Sequence, residues 1–196
     1  MKKSNIFVFV IIVAILGMFI MAIKIDLSKG SATTNNVPEI ENQVCTLESE
    51  CTARGSVLDA VDKNMQKISL EESLEHLNET CALFFSFEDC PWCYDAILVL
   101  NEVYNKYDVP TYYVHIERNE REETNPTYLE VKEKLGVEDK MYVPYFTVLK
   151  EGKVLGSNVG TVSGHEKVDG VLPAINDMQK AELKMIFKTL YGKIAN

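Results

Sequence analysis

Two thiols three positions apart, in Cys90-Pro91-Trp92-Cys93, stand between an apolar run, Ala82-Leu83-Phe84-Phe85-Ser86-Phe87, and a helical-looking run from Tyr94 to Tyr107. A strand-to-helix junction places the first thiol at an exposed helix N-terminus, where unpaired backbone N–H groups and the helix dipole stabilise a thiolate. Cys90 therefore reads as the nucleophile, and Cys93, one turn inside, as the resolving thiol. The same spacing also serves zinc sites. Such a site needs two further ligands, and His76, His115 and His165 are single histidines without ligand spacing, each read as a surface or strand residue. No metal and no cofactor are expected.

The N-terminus restricts where this chemistry takes place. Ile6 to Ile23 is an unbroken apolar run of eighteen residues without a charge, long enough to span a hydrocarbon core of about 30 Å. A cleaved secretory peptide has a shorter apolar region, of about 7 to 15 residues, with a small-x-small site close behind it. Gly30-Ser31-Ala32 offers such a site only some way past the run. Residues 1–25 are thus read as an uncleaved membrane anchor, with secretion after cleavage as the alternative. Lys2 and Lys3 favour a cytoplasmic N-terminus, although Lys24 and Lys29 weaken that bias, so the bulk of the chain is expected on the extracytoplasmic side. Residues 26–55 form a spacer rich in Ser, Thr, Asn and Gly that carries Cys45 and Cys51. In an oxidising compartment the simplest reading is a local structural disulfide between these two, contributing about 2 kcal/mol at most. A second redox pair and two free thiols remain open. The formal charge of −9 and the absence of clustered Lys and Arg exclude a nucleic-acid partner.

Residues 56–196 are of a length suited to one globular domain. Val57, Leu58, Val61, Met65 and Ile68 recur at helical spacing and predict a helix from Ser56. Ser69-Leu70-Glu71-Glu72 is a capping-box pattern that opens a second, short helix. Thr80 to Phe87 is apolar at nearly every position, as in a central strand buried on both faces. Cys81, at its start, reads as a small core residue whose burial raises its pKa. Ala96, Ile97, Leu100, Val103, Tyr104 and Tyr107 mark an amphipathic helix, and Thr111 to Ile116 a second strand joined in parallel by that crossover. A charged loop from Glu117 to Asn125, a helix from Thr127 to Leu135 capped by Gly136, and a Pro-led strand from Val143 follow. Lys150-Glu151-Gly152-Lys153 turns that strand into an antiparallel partner. A closing helix, Ile175 to Tyr191, is expected to bury Ile175, Met178, Leu183, Ile186 and Leu190.

This order of elements, with Cys90-Pro91-Trp92-Cys93 after the first central strand and Val143-Pro144 about fifty residues later, resembles the thioredoxin superfamily over about residues 56 to 192. The resemblance implies an α/β fold with a central mixed sheet flanked by helices. It also implies a cis Val143–Pro144 bond whose loop lies against the dithiol and presents backbone to an extended substrate, with Trp92 as a contact surface beside it. The activity it implies is thiol–disulfide exchange with the thiols or disulfides of exported proteins or peptides, recharged by a redox partner protein. The Ser86-Phe87-Glu88-Asp89-Cys90-Pro91-Trp92-Cys93 run and the long acidic loop are similar to those of anchored, exported members described as bacteriocin transport accessory proteins. One departure separates the chain from ordinary thioredoxins, which commonly carry a buried acid six residues before the first active cysteine. Here that position is Phe84, while Glu88 and Asp89 precede Cys90 and oppose its thiolate. A redox-incidental binding module, holding an exported peptide through Trp92, Tyr142 and Val143, is the competing reading. A glutaredoxin-like reading also starts from Cys-Pro-aromatic-Cys, but the apolar N-terminal run and the lack of a basic cluster for glutathione carboxylates argue against it.

Overall fold

In the computed structural model, residues 54–195 are described. The expected anchor over residues 1–25 and the expected Cys45/Cys51 pair lie outside them. Among the described residues no helix is long and apolar enough to cross a membrane.

The most apolar stretch of the domain lies at its centre. Strand β2, Cys81–Ser86, is buried at all six positions. It is flanked on one side by β3, Thr111–His115, in parallel, and on the other by β4, Tyr145–Lys150, antiparallel. Strand β1, Gln66–Ser69, pairs in parallel with β3, and β5, Lys153–Val159, closes the other edge antiparallel to β4. The sheet order is therefore β1-β3-β2-β4-β5. A strand buried on both faces needs cover on both, and helices supply it. Helix α1, Val57–Ala60, packs on α3, Pro91–Asn101, which in turn packs on α5, Asp177–Ala195; α2, Leu70–His76, packs on α4, Pro126–Leu135. The alternation of β-strand side chains divides the aromatic residues between these layers. Phe84 and Phe146 are register partners, and Phe146 meets Phe187 and Tyr191 of α5. Tyr112 points the other way and stacks on His76 at the end of α2, 4.0 Å between centroids.

Local signals hold where the chain satisfies itself. The Ser69 hydroxyl accepts from the Glu72 N–H at 3.1 Å and the Glu72 carboxylate accepts from the Ser69 N–H at 2.7 Å, closing the capping box. Gly136 ends α4 with φ 69°, a left-handed cap that costs glycine nothing.

Three expectations are corrected. The helix expected from Ser56 through Ile68 ends at Ala60, and residues 66–69 form β1 instead. Asn101 of α3 explains the break: its side chain accepts from the Asp62 N–H and donates to the Ala60 carbonyl, while Asp62 caps Asn64. These bonds replace the ones a continuing helix would have made. Helix α3 stops at Asn101 rather than Tyr107, and a separate 3-10 turn, Tyr104–Lys106, follows. The buried face of α5 is Leu183, Phe187, Leu190, Tyr191 and Ile194, whereas Met178 is 81% exposed. The helix begins two residues later than expected and is rotated so that its aromatic residues meet Phe146.

Candidate functional site

The dithiol lies where β2 gives way to α3. Cys90 is the N-cap of α3 and Pro91 its first residue, where a missing N–H costs nothing. The Cys90 sulfur accepts from the Cys93 N–H at 3.2 Å, so a helix-terminal donor is aimed at the atom that would carry thiolate charge. Cys90 and Cys93 form a disulfide with their Cα atoms 5.1 Å apart. Cys90 keeps 8% exposure and Cys93 none, which leaves Cys90 as the sulfur a substrate can reach. The two carboxylates ahead of Cys90 are both exposed and both partnered: Glu88 accepts from the Ser56 hydroxyl at 3.0 Å, and Asp89 pairs with Arg118. The Arg118 guanidinium offsets the charge of Asp89, whereas the Ser56 hydroxyl leaves that of Glu88 in place.

One cavity reaches Cys90 and another reaches Trp92. The first, of about 640 Å³, is walled by Arg54, Phe87, Cys90, Tyr94, His115 and Lys167. The other, of about 420 Å³, is lined by Trp92, Val159, Gly160, Val162 and Ile186. Trp92 is half-buried, donates its indole N–H to the His165 carbonyl at 3.2 Å, and carries the Lys167 ammonium 5.6 Å from its ring centroid. The Val143–Pro144 peptide is cis. Pro144 immediately precedes Tyr145, whose register partner is Phe85, so it lies at the same end of the sheet as Cys90. Its carbonyl accepts from the Gly160 N–H at 2.8 Å, tying the proline to the wall of the Trp92 cavity. Tyr142 beside it is 62% exposed. Cys90, Trp92, Val143 and Pro144 are thus gathered at one end of the sheet.

The strand order, the direction of each pairing and a dithiol at the β2–α3 junction now stand together. The fold is thioredoxin-like. No protein-family model matches the chain, and no curated protein matches it. Similar solved structures include thioredoxin from Aeropyrum pernix, 24% identical over 48% of this chain and 74% of that one, with a TM-score of 0.37. A reduced Schistosoma mansoni thioredoxin pre-protein is 20% identical over 64% of this chain and 98% of that one, TM-score 0.36. Chlamydomonas reinhardtii thioredoxin f2 is 12% identical over 50% and 84%, TM-score 0.34.

Cys81 and His165 are also buried. Cys81 is fully buried, its thiol donates to the His76 carbonyl at 3.4 Å, and burial, with Glu79 adding to it, pushes its pKa up to about 12. It is a core residue, as its sequence context predicted. His165 is not the surface or strand residue expected: it lies in the loop after β5 and is 3% exposed. Its Nδ1 meets the Thr161 hydroxyl at 2.8 Å, and its Nε2–H donates to the Pro173 carbonyl at 3.0 Å. Nε2 is also 3.3 Å from Asp95 Oδ2, which is itself 3.3 Å from Arg54 Nη2. Asp95, Arg54 and His165 were missed by the sequence reading. The only trace of Asp95's burial in the sequence is its place three residues after Trp92 and four before Val99, on one side of a helix that turns out to be covered nearly all round. Nothing local marks Arg54 or His165.

Proposed function

We propose that the protein is a thiol–disulfide oxidoreductase held at a membrane by residues 1–25, with its domain on the extracytoplasmic side, exchanging disulfides with exported proteins or peptides. The observation that carries the chemistry is the Cys90–Cys93 disulfide, with one sulfur reachable at a helix N-terminus and the other sealed beneath it. In the reducing direction, the Cys90 thiolate attacks a substrate disulfide, forming a mixed disulfide and releasing one substrate thiolate. Cys93 then attacks Cys90 Sγ, the second substrate thiol leaves, and the Cys90–Cys93 disulfide re-forms. Two electrons pass to the substrate, and a redox partner protein returns them. The oxidising direction runs the same steps backwards. The exposed Tyr142, the cis Val143–Pro144 loop and Trp92 border the approach to Cys90 and supply backbone and aromatic surface for an extended chain, an exported peptide of the bacteriocin kind being one candidate.

The test is a Cys93→Ala variant, which lacks the resolving thiol. Under mild oxidation it should accumulate mixed disulfides through Cys90, resolved by non-reducing electrophoresis and peptide mapping. A folded variant that forms no adduct with protein or model disulfides would refute the mechanism. The exposed Tyr142 also favours a second reading, a binding module in which the dithiol is incidental. Cys90→Ser separates the two: retention of full cellular function in that variant supports the module.

A further inference from the structure

Among the described residues Asp95 is the only buried acid. It belongs to the dithiol helix and meets two segments remote in sequence. Oδ2 lies within 3.3 Å of both Arg54 Nη2 and His165 Nε2 but makes no aligned hydrogen bond to either. Side-chain exposures of 6% for Asp95, 15% for Arg54 and 0% for His165 leave these charges little water. The cluster is linked to the dithiol site in two ways. Arg54 lines the same cavity as Cys90, and the His165 carbonyl holds the indole of Trp92, which lies between the two cysteines. Burial pushes the Asp95 carboxyl up, against the opposing pull of Arg54, His165 and the more distant Lys180.

We propose that Asp95 is a positioning residue of the dithiol site: its charge, balanced by Arg54, anchors the His165 segment that holds Trp92 and sets how readily Cys90 ionises. The inference rests on the thiol–disulfide reading above. Five residues of helix put Asp95 about 7.5 Å along the axis from Cys90. A unit charge about 10 Å away, at an effective dielectric near 20, changes an acid dissociation constant about tenfold. Glu88, Asp89, Tyr94, His115, Glu117, Arg118 and Lys167 also line the cavity at Cys90 and remain unchanged in the variants below.

The experiment uses the reduced full chain and reads the ionisation of Cys90 from the pH profile of its alkylation, mapped by peptide. Asp95→Asn leaves Arg54 uncompensated and should raise the acid dissociation constant of Cys90 about tenfold. The exchange equilibrium of the Cys90/Cys93 pair should then shift toward the more oxidising side by up to tenfold, about 30 mV. Asp95→Glu keeps the charge and should stay near the wild type. The double variant D95N/R54Q removes both charges, buries no unpaired one, and should return Cys90 to within about twofold of the wild type. A folded D95N whose Cys90 titrates within twofold of the wild type overturns the proposal, as does a double variant that keeps the whole shift. Failure of the wild type to exchange with a model disulfide would count against the proposed function instead, since Cys90 ionisation is measured independently of it.

Discussion

At the scale of single residues, three cysteines of the described domain have three separate environments. Cys90 is at a helix N-terminus with the Cys93 N–H on its sulfur, Cys93 is sealed beneath it, and Cys81 is in the core with its pKa pushed to about 12. In the reduced, folded protein at pH 8, iodoacetamide should therefore modify Cys90 and leave Cys81 untouched, as peptide mapping by mass spectrometry will show; Cys81 becomes reactive only on unfolding. The same burial has a thermodynamic consequence. The folded pKa of Cys81 is raised above its ordinary value near 9, so below pH 9 the thiol is protonated in both states and costs nothing. Between pH 9 and 12 only the unfolded state loses the proton, and stability falls by up to about 1.4 kcal/mol per pH unit. Denaturant unfolding of Cys81→Ala should show a shallower loss over that interval than the wild type. A parallel pH dependence in the two proteins would contradict it. The environment of Cys81 was legible in the sequence because it begins a long apolar run. That of Asp95 was not, because its partners come from residues 54 and 165.

At the scale of elements, what the sequence revealed depended on whether a segment satisfies its own backbone. The α2 capping box involves residues three apart, and it was readable. Ser69→Ala should cost about 1 kcal/mol, measured by chemical denaturation. Strand β1 was not readable, because its apolar spacing fits a helix, and the decision is made by Asn101 on another element and by the pairing of Ile68 with Val114. For α5 the helix was evident and its orientation was not, since Met178, Leu183, Ile186, Phe187 and Leu190 offer more than one apolar stripe. Two substitutions distinguish the stripes. Phe187→Ala removes a ring packed on Phe146 and should cost about 3 to 5 kcal/mol. Met178→Ala, on an exposed side chain, should change stability by less than about 0.5 kcal/mol. Equal effects would mean that the buried face has been misassigned.

At the scale of the whole molecule, the sheet order gathers three pieces of chain that begin at residues 90, 143 and 160. The β2–α3 junction brings the dithiol, β4 brings Val143 and Pro144, and the loop after β5 brings Gly160 and His165. The proposed tether makes a separate prediction. The full chain should sediment with membranes and resist extraction by high salt, while a chain beginning after residue 25 should remain in the supernatant and exchange with a model disulfide at an unchanged rate. A truncated chain that still sediments with membranes would count against residues 1–25 as the anchor.

The sequence by itself determined the place of the dithiol at a strand-to-helix junction, the central strand, the capping box, the hairpin and the position of the Pro-led strand. Each of these is written in residues adjacent or three to four apart, where backbone geometry and local hydrogen bonds decide. Only the tertiary structure decided the conversion of residues 66–69 to an edge strand, the orientation of α5, and the burial of Asp95 between Arg54 and His165. Those outcomes depend on which distant groups arrive to exclude water and to pair a charge, and spacing along one segment carries no record of them.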